Sequence, residues 1–347
     1  MMAPHLELGL DTFGDVTAEA DGTAVPFAQV LRNLVAQGVL ADRIGLDYIG
    51  VGEHHRKDFA ASAPEVVLAA IAAQTARIHV GTAVTVLSSD DPIRVFQRFA
   101  TLDGISNGRA EAILGRGSFT ESFPLFGLDL ADYERLFEEK LELFAAVREQ
   151  QPVNWTGSTR PPVVDKSVYP TIENGLLPTW IGVGGSPESV VRTARYGFNL
   201  MLAIIGGEPA RFAPYVDLFH RALAQFERPT PKIGVHSPGH IAETDEQARE
   251  ELWPHHSALM DRIGRERGWG PMSRESFENE AETGSVYVGS PETVAQKIAS
   301  TARVLGLDRF DLKYSSGTLA HEKLMSSIEL FGTVVAPRVR ELLAEEA

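Results

Sequence analysis

The 347-residue sequence contains no cysteine, which excludes disulfides, thiolate metal sites and a cysteine nucleophile. Positive charge is also scarce, with 32 lysines and arginines against 47 acidic residues and a formal net charge of −15. This balance argues against nucleic acid or an anionic membrane as a partner, although a local pocket can still bind a small anion. The N-terminus MMAPHLELGL lacks the features of a signal peptide, and no apolar run reaches the ~18 residues of a membrane span. We therefore expect a cytoplasmic protein without a metal site.

What the sequence does contain is best organised around residues 78–117. Two apolar runs, Ile78–Leu87 and Ala110–Leu114, flank a segment whose apolar residues recur with helical spacing. Asp90-Asp91-Pro92 supplies a cap and a proline suited to the start of that helix, and Ser106-Asn107-Gly108 is a turn cluster that ends it. A strand, a helix and a strand within about forty residues predict a βαβ unit of a parallel sheet.

Ligands of parallel α/β folds bind at the carboxyl ends of the strands. In this unit those ends are Thr82–Ser89 and the run Gly115-Arg116-Gly117-Ser118. The second run offers backbone N–H groups, a guanidinium from Arg116 and a hydroxyl from Ser118, a combination that suits a phosphate.

Eight strands that alternate with helical segments predict a (β/α)8 barrel, an α/β fold. A doubly wound open sheet is the competing architecture, but its glycine-rich dinucleotide fingerprint is missing near the N-terminus. Residues 151–178 are rich in proline, threonine and glycine, and we expect them to form an insertion over the C-terminal strand ends. The predicted strands are His5–Thr12, Tyr48–Gly52, Ile78–Leu87, Ala110–Gly115, Thr179–Val183, Asn199–Ala203, Lys232–His240 and Phe310–Tyr314.

Six motifs occur in an order that resembles the bacterial luciferase-like flavin-dependent monooxygenases and oxidoreductases, from about residue 5 to residue 343. One of these motifs alone would be weak, but six in the same order are specific. They are Glu53-His54-His55, Gly81-Thr82-Ala83-Val84, Asp91-Pro92-Ile93-Arg94-Val95, Leu102-Asp103, Ser106-Asn107-Gly108-Arg109 with Gly115-Arg116-Gly117, and Val288-Gly289-Ser290-Pro291-Glu292.

The resemblance implies a single (β/α)8 domain over residues 1–347 that is usually a homodimer. It implies reduced FMN as the cofactor, loosely held and supplied by a separate flavin reductase. The flavin reacts with O2 to a C4a-hydroperoxide, which oxidises a small organic substrate. Relatives that use the deazaflavin F420, or that pass electrons from NAD(P)H, leave those oxidoreductases as alternatives. A second alternative is a flavin-binding protein without turnover. A third alternative is a barrel hydrolase that uses histidine and carboxylates.

By the same resemblance, His54 is the catalytic residue beside the flavin ring, where an imidazole can act as a base or stabilise the oxygenated flavin. The plain alternative is a turn histidine bonded to a neighbouring carbonyl. Ala83 and Val84 match a non-proline cis peptide under the ring, although small and β-branched residues also pack barrel cores. Because neighbouring residues of a strand point in opposite directions, His54 and His55 are not expected to contact the ring equally.

The resemblance assigns the flavin phosphate to Arg116 together with the loop Gly184, Gly185, Ser186 and with Ser189. Helix N-terminal amides at this loop would bind an anion, and glycines allow close approach of the backbone. The alternatives are a surface ion pair for Arg116 and an ordinary N-cap role for Ser186. The sequence leaves open whether His236 and His240 face the pocket or solvent, and Phe13 is a weaker candidate for the pocket mouth.

Overall fold

The computed structural model describes residues 6–117 and 119–345 of the chain. The strands are β1 (Glu7–Thr12), β2 (Tyr48–Val51), β3 (His79–Thr82), β4 (Thr85–Val86), β5 (Ala110–Gly115), β6 (Val153–Trp155), β7 (Val163–Lys166), β8 (Thr179–Val183), β9 (Asn199–Ala203), β10 (Ile233–Ile241), β11 (Tyr287–Gly289) and β12 (Arg309–Lys313). The α-helices are α1 (Phe27–Arg43), α2 (Pro64–Ala72), α3 (Pro92–Ser106), α4 (Ser122–Leu125), α5 (Tyr133–Arg148), α6 (Pro187–Tyr196), α7 (Ala213–Gln225), α8 (Asp245–Arg267), α9 (Arg274–Glu282), α10 (Pro291–Leu305), α11 (His321–Leu330) and α12 (Ala336–Ala344). Short 3-10 segments lie at Leu87–Ser89, Leu130–Asp132 and Pro209–Phe212, and a π-turn at Phe331–Val335 joins the last two helices.

Eight parallel strands close into a barrel, which confirms the predicted (β/α)8 fold. Strand β1 pairs with β2 on one side and β12 on the other, and the ring continues through β3, β5, β8, β9 and β10 back to β12. Helices surround the ring, and their apolar faces bury the outward-facing residues of the strands. No helix among the described residues is long and apolar enough to cross a membrane.

Inside the barrel, large side chains pack against glycines, which have no side chain. Gly81 faces Tyr48 and the backbone of Glu111, and a Cβ at this glycine would stand 2.5 Å from the Glu111 carbonyl oxygen and 2.7 Å from Tyr48 Oη. Tyr48 Oη in turn donates to the Thr82 carbonyl oxygen at 3.0 Å. Only glycine leaves room for that ring at this level of the barrel.

A buried ion cluster fills the N-terminal half of the barrel. The guanidinium of Arg309 lies 4.4 Å from the ring centroid of Tyr48 and 4.5 Å from that of Trp180, and it donates to Glu7 and Glu111. Burial would raise the pKa of Glu111, but the charge of Arg309 outweighs it, and the pKa lies below its usual value. The cluster is remote from the strand ends that bind ligands in barrels, so we assign it to stability.

Three local expectations were wrong. The predicted strand Ile78–Leu87 is interrupted after Thr82, because the Ala83–Val84 peptide is cis and pairing resumes only at Thr85. The insertion 151–178 does not cover the strand ends. It contains the antiparallel hairpin β6–β7, which lies against α5 and α3 and contributes no residue to the cavity described below. The apolar segment Pro64–Ala76 is also expected to be helical throughout, but α2 ends at Ala72.

Candidate functional site

The C-terminal ends of the barrel strands enclose a cavity of about 510 Å³. Its size lies in the range of small-molecule and cofactor sites. Inward-facing residues of the strands form its floor: Asp11, Ile113, Met201, His236, Asp311 and Lys313. We call the side formed by α8 and the residues after it the helical wall: His256, Leu259, Met260, Ile263, Arg267 and Trp269.

His54 lies in this cavity, within a cage of aromatic rings. Its ring centroid is 4.6 Å from those of Phe13 and Phe59 and 4.9 Å from that of Phe119. Nδ1 of His54 faces Glu121 Oε1 at 3.5 Å. Burial would raise the pKa of Glu121, but the His54 ring and backbone amides outweigh it and lower the pKa. This arrangement leaves Nε2 of His54 as the nitrogen available to a ligand.

The two adjacent histidines face different surroundings, as expected, although both lie beyond the end of β2 at Val51. The His55 ring packs at 5.0 Å from that of Phe126 and does not line the cavity. Burial lowers the pKa of His55, which favours its neutral form. Phe13, the weaker candidate, is a cavity residue in direct contact with His54.

Ala83 and Val84 line the cavity, and the peptide bond between them is cis, as the resemblance implies. Two neighbours of Val84, Gly115 and Gly182, have no side chain. A Cβ at Gly115 would stand 2.6 Å from Val84 Cγ2, and one at Gly182 would stand 3.0 Å from Cγ1. The two glycines thus make room for the Val84 side chain, which itself lines the cavity.

Glu53 holds the chain just beyond this bond. Its Oε1 accepts the N–H of Val86 at 3.0 Å, and its side chain also lines the cavity. Burial raises the pKa of Glu53 to about 8. The Glu-His-His motif therefore supplies a cavity carboxyl as well as a cavity imidazole, a role for Glu53 that the sequence analysis did not anticipate.

Arg116 and Gly184 line the opposite end of the cavity. Arg116 Nη1 donates to Glu134, a carboxylate on α5 that is 63% exposed. Ser186 caps α6 and accepts the N–H of Ser189, and Gly185 has a φ of +113°, a conformation that favours glycine. Gly185, Ser186 and Ser189 do not line the cavity itself. Gly185 and Ser186 lie in the loop next to it, and Ser189 lies in the first turn of α6. Ser118, the remaining predicted binding residue, lies outside the described residues.

The charges at this end confirm that Arg116 and the start of α6 are close to each other. The Ser186 hydroxyl donates to Glu188 and lowers the pKa of that carboxyl, and the charges of Arg192 and Arg116 lower it further. Arg192 also binds Glu138 through Nε, while its Nη1 is buried without a partner in the described part of the chain. An unpartnered buried guanidinium nitrogen beside a helix N-terminus suits an anion.

The sequence analysis missed Arg192, because a helical arginine six residues after a cap carries no motif of its own. It also left His236 and His240 undecided. His236 lines the cavity, whereas His240 is buried behind the barrel with its Nε2 2.9 Å from Glu251 Oε2. Alternation along β10 does not separate the two histidines, because residues four positions apart in a strand share a face, and only the structure shows that His236 alone lines the cavity.

Comparisons with known proteins bear on the family and the fold of this chain. The family model described as "Luciferase-like monooxygenase" matches residues 8–309. An N-acetyl-S-alkylcysteine monooxygenase of Bacillus subtilis is 31% identical over 188 residues, which cover 52% of this chain and 53% of that protein. The chain spans about half the length of the curated relatives it matches.

Two solved structures illustrate the range of cofactors on this fold. The oxygenating constituent of 3,6-diketocamphane monooxygenase from Pseudomonas putida, in complex with FMN, superposes with a TM-score of 0.76 at 16% identity over 96% of this chain and 98% of that one. The coenzyme F420-dependent tetrahydromethanopterin reductase of Methanopyrus kandleri has a TM-score of 0.73 at 18% identity over 96% of this chain and 99% of that one. At these identities the likeness establishes the fold.

Proposed function

The chain belongs to the luciferase-like monooxygenase family, and we propose that it is a flavin-dependent monooxygenase that uses reduced FMN and O2 on a small organic substrate. The observation that carries the proposal is the grouping of His54, the cis Ala83–Val84 bond and Arg116 around one cavity. These groups come from three different strand ends, as expected of a barrel active site.

We assign the flavin ring to the part of the cavity that Ala83, Val84 and Gly115 line. The phosphate is assigned to Arg116, to the amides of the Gly184–Ser186 loop and to the unpartnered Nη1 of Arg192. Glu134 must release Arg116 for this, which its exposure permits. Bound reduced FMN supplies the chemistry that activates O2 and transfers one oxygen atom.

The chain's own residues provide binding, a proton site and exclusion of water. His54 holds or accepts a proton at Nε2, because Nδ1 faces Glu121. The aromatic cage and the apolar residues of the helical wall keep bulk water from the reacting atoms.

Binding of FMN, riboflavin and F420, each in both redox states, tests the cofactor. We expect FMN to bind more tightly than riboflavin, because only FMN carries the phosphate for Arg116. Preferential binding of F420 with hydride transfer would favour the F420-linked oxidoreductase, for which the fold likeness to the Methanopyrus kandleri enzyme is the supporting observation. Failure of all three to bind would overturn the proposal and favour a hydrolase.

Turnover is tested with NAD(P)H, a separate flavin reductase, FMN, isotopically labelled O2 and a panel of aldehydes, ketones and thioethers. We expect labelled product from the wild type and its loss in His54→Asn. His220→Gln, at an exposed histidine of α7, is the matched control. Tight FMN binding with no effect on the fate of reduced flavin would instead indicate a protein without turnover.

The homodimer also remains a proposal. Helices α2 and α3 carry outward-facing apolar residues, with Val66 70% and Ile105 53% exposed. Burial of this face against a second copy would remove both side chains from water. Light scattering that gives the mass of a monomer would contradict it.

A further inference from the structure

Methionine is the only sulfur-containing residue type in this chain. The sequence has six methionines and no cysteine, so an oxidant that attacks sulfur can attack only a thioether. Four methionines lie in the described part of the chain: Met201, Met260, Met272 and Met325. Met201 and Met260 line the cavity, whereas Met272 and Met325 pack against the main apolar core. The last two therefore serve as internal references for the two cavity thioethers.

The two cavity methionines differ in how far their side chains are enclosed. Met201 is 3% exposed and packs in a small cluster with Trp180. A Cβ at Gly234 would stand 3.1 Å from Met201 Sδ, so the backbone of β10 lies against this sulfur. Met260 is half-buried and belongs to neither apolar cluster of the described residues. Of the two sulfurs, that of Met260 is therefore the more accessible from the cavity.

A buried imidazole lies one helical turn before Met260. His256 and Met260 are four residues apart on α8 and both line the cavity, so they share a face of the helix. The His256 ring packs 5.9 Å from that of Phe277, but within the described residues neither of its nitrogens has a hydrogen-bond partner. Burial, helped by the charge of Lys313, lowers the pKa of His256 to about 4. The neutral ring offers one hydrogen-bond donor and one acceptor.

Hydrogen peroxide has the properties that suit this pair of residues. It is small and uncharged, and it both donates and accepts hydrogen bonds, so it can satisfy a buried neutral imidazole. Leu259 and Ile263, the neighbouring residues of the helical wall, offer no competing polar group. Reduced flavin yields hydrogen peroxide when it reacts with O2 without oxidising a substrate, so the proposed function places this oxidant in the cavity.

We propose that Met260 is a self-modification site, at which hydrogen peroxide held by His256 oxidises the thioether to methionine sulfoxide. The sulfur attacks one peroxide oxygen and forms the S–O bond while the O–O bond breaks. The leaving oxygen takes a proton from the imidazole and departs as water, and the imidazole recovers the proton of the transferred oxygen. Sulfur loses the two electrons that the peroxide gains, so no further reactant is needed. The inference rests on the proposed function only for the source of the peroxide.

The sulfoxide changes the character of the helical wall. It places a strong dipole beside Leu259 and Ile263, so an apolar molecule is held there less tightly. Peroxide-treated protein should therefore bind the neutral dye Nile red at least about threefold more weakly than untreated protein. In Met260→Leu, which has no sulfur at this position, the same treatment should leave the affinity for the dye unchanged. Equal losses in both proteins would overturn this effect of Met260.

Peptide mapping by mass spectrometry measures the sulfoxide at each methionine after timed exposure to hydrogen peroxide, without any flavin. We expect Met260 to be oxidised at least about threefold faster than Met272 and Met325, because a hydrogen bond to His256 holds the peroxide near it. Met201 should be oxidised most slowly of the four. In denaturant all four rates should become equal, since the differences come from the fold.

Two variants test the contribution of His256. His256→Phe and His256→Leu remove the hydrogen-bond partner of the peroxide, so the rate at Met260 should fall to that of Met272 and Met325. His255→Gln changes the adjacent histidine, which does not line the cavity, and should leave the rate at Met260 unchanged. Thermal unfolding shows which of the two His256 variants keeps the fold, and the rates are compared in that variant.

The source of the oxidant is tested with reduced flavin and no organic substrate. NAD(P)H, a separate flavin reductase, FMN and O2 are supplied together with catalase, which destroys peroxide in the bulk solution. We expect sulfoxide at Met260 and none above background at Met272 and Met325, because peroxide formed in the cavity meets Met260 before it can leave.

The outcomes separate this inference from the proposed function. Equal rates at Met260 and the reference methionines in the folded protein, or an unchanged rate at Met260 in the folded His256 variant, would overturn the inference. Selective oxidation by added peroxide but not under turnover, in a protein that binds FMN, would also overturn it. A wild type that fails to bind FMN contradicts the proposed function alone, because the experiment with added peroxide contains no flavin.

Discussion

Replacement of Arg116 by glutamine tests the assigned phosphate site most directly. The variant should weaken FMN binding and leave riboflavin binding unchanged, because riboflavin has the same ring without the phosphate. Arg116 lines the cavity and stands next to the N-terminus of α6, so the glutamine keeps the local packing but removes the charge.

The expected magnitude follows from two opposing contributions. A hydrogen bond from a guanidinium to a phosphate contributes about 1.5–3 kcal/mol. Arg116 must first leave Glu134, and because that carboxylate is 63% exposed, breaking the pair costs about 0–1 kcal/mol. The net loss of roughly 1–2 kcal/mol corresponds to about 5- to 30-fold weaker FMN binding.

The same reasoning predicts that a substitution of Glu134, the partner of Arg116, strengthens FMN binding. Glu134→Gln frees Arg116 from its ion pair, so FMN should bind about two- to fivefold more tightly. Arg116→Lys should fall between the wild type and the glutamine variant, because lysine keeps the charge but cannot donate two parallel hydrogen bonds.

Quenching of flavin fluorescence measures both ligands under identical conditions. Arg221→Gln, an exposed arginine of α7, is the matched control and should not affect either affinity. Equal losses for FMN and riboflavin would mean that Arg116 supports the ring or the fold, and no loss for FMN would remove Arg116 from the phosphate site. Either result would refute the assignment.

Three further variants test the physical basis of the barrel and its site. Because burial raises the pKa of Glu53 to about 8, the folded state retains a proton that the unfolded state loses, and stability falls as pH rises from about 4.5 to 8. Glu53→Gln should remove this loss of stability. The melting temperature of the variant, relative to that of the wild type, should therefore rise between about pH 4.5 and 8, by an amount equivalent to at most roughly 3–5 kcal/mol. A difference that does not change with pH would contradict this prediction. Gly81→Ala should destabilise the barrel by at least about 1–3 kcal/mol in denaturant titration, whereas Gly104→Ala, in a helix with open space around it, should be neutral or stabilising. Arg309→Leu should cost about 3–5 kcal/mol by removing the buried cation beside Glu111, which keeps only His79 and Trp180 as partners, and a melting temperature equal to wild type would show that the cluster is dispensable.

The parts of the fold that the sequence predicted well are those fixed by local chemistry. Asp91 caps α3 by accepting the amides of Ile93 and Arg94 at 2.9 and 3.1 Å, as the Asp-Asp-Pro run predicts. Asn107 ends the helix in the left-handed conformation with φ of 58°. Each signal is contained in a few neighbouring residues, so it can be read without knowledge of the rest of the chain.

The hairpin β6–β7 shows why other parts could not be predicted. Its position depends on Glu139 of α5, whose carboxylate accepts hydrogen bonds from Ser158 and Thr159 at 2.7–3.0 Å. Its short strands carry no strong alternation, and only contacts with a helix already in place give them a register. A segment without periodicity was therefore expected over the strand ends, whereas it packs against the outer helices α3 and α5.

The candidate site likewise contains residues that the sequence predicts and residues that it does not predict. His54, the cis bond and Arg116 belong to recognisable motifs, whereas the Asp11–His236 pair joins residues 225 positions apart and exists only once the barrel has closed. The pKa of Glu53 likewise depends on burial that no sequence window contains. Motifs predicted the groups assigned to the flavin, and the other polar groups of the cavity required the three-dimensional arrangement.

This division has a physical origin in how the cavity is built. The groups assigned to the flavin lie on strand ends, whose positions are fixed by the hydrogen bonds of a closed ring. The helical wall instead belongs to the last turns of α8, which are tied to the mouth by the ion pairs Arg56–Glu266 and Arg262–Asp58. Changes in α8 can therefore alter the shape offered to the substrate while the strand ends stay in place, which separates substrate choice from cofactor binding within one barrel.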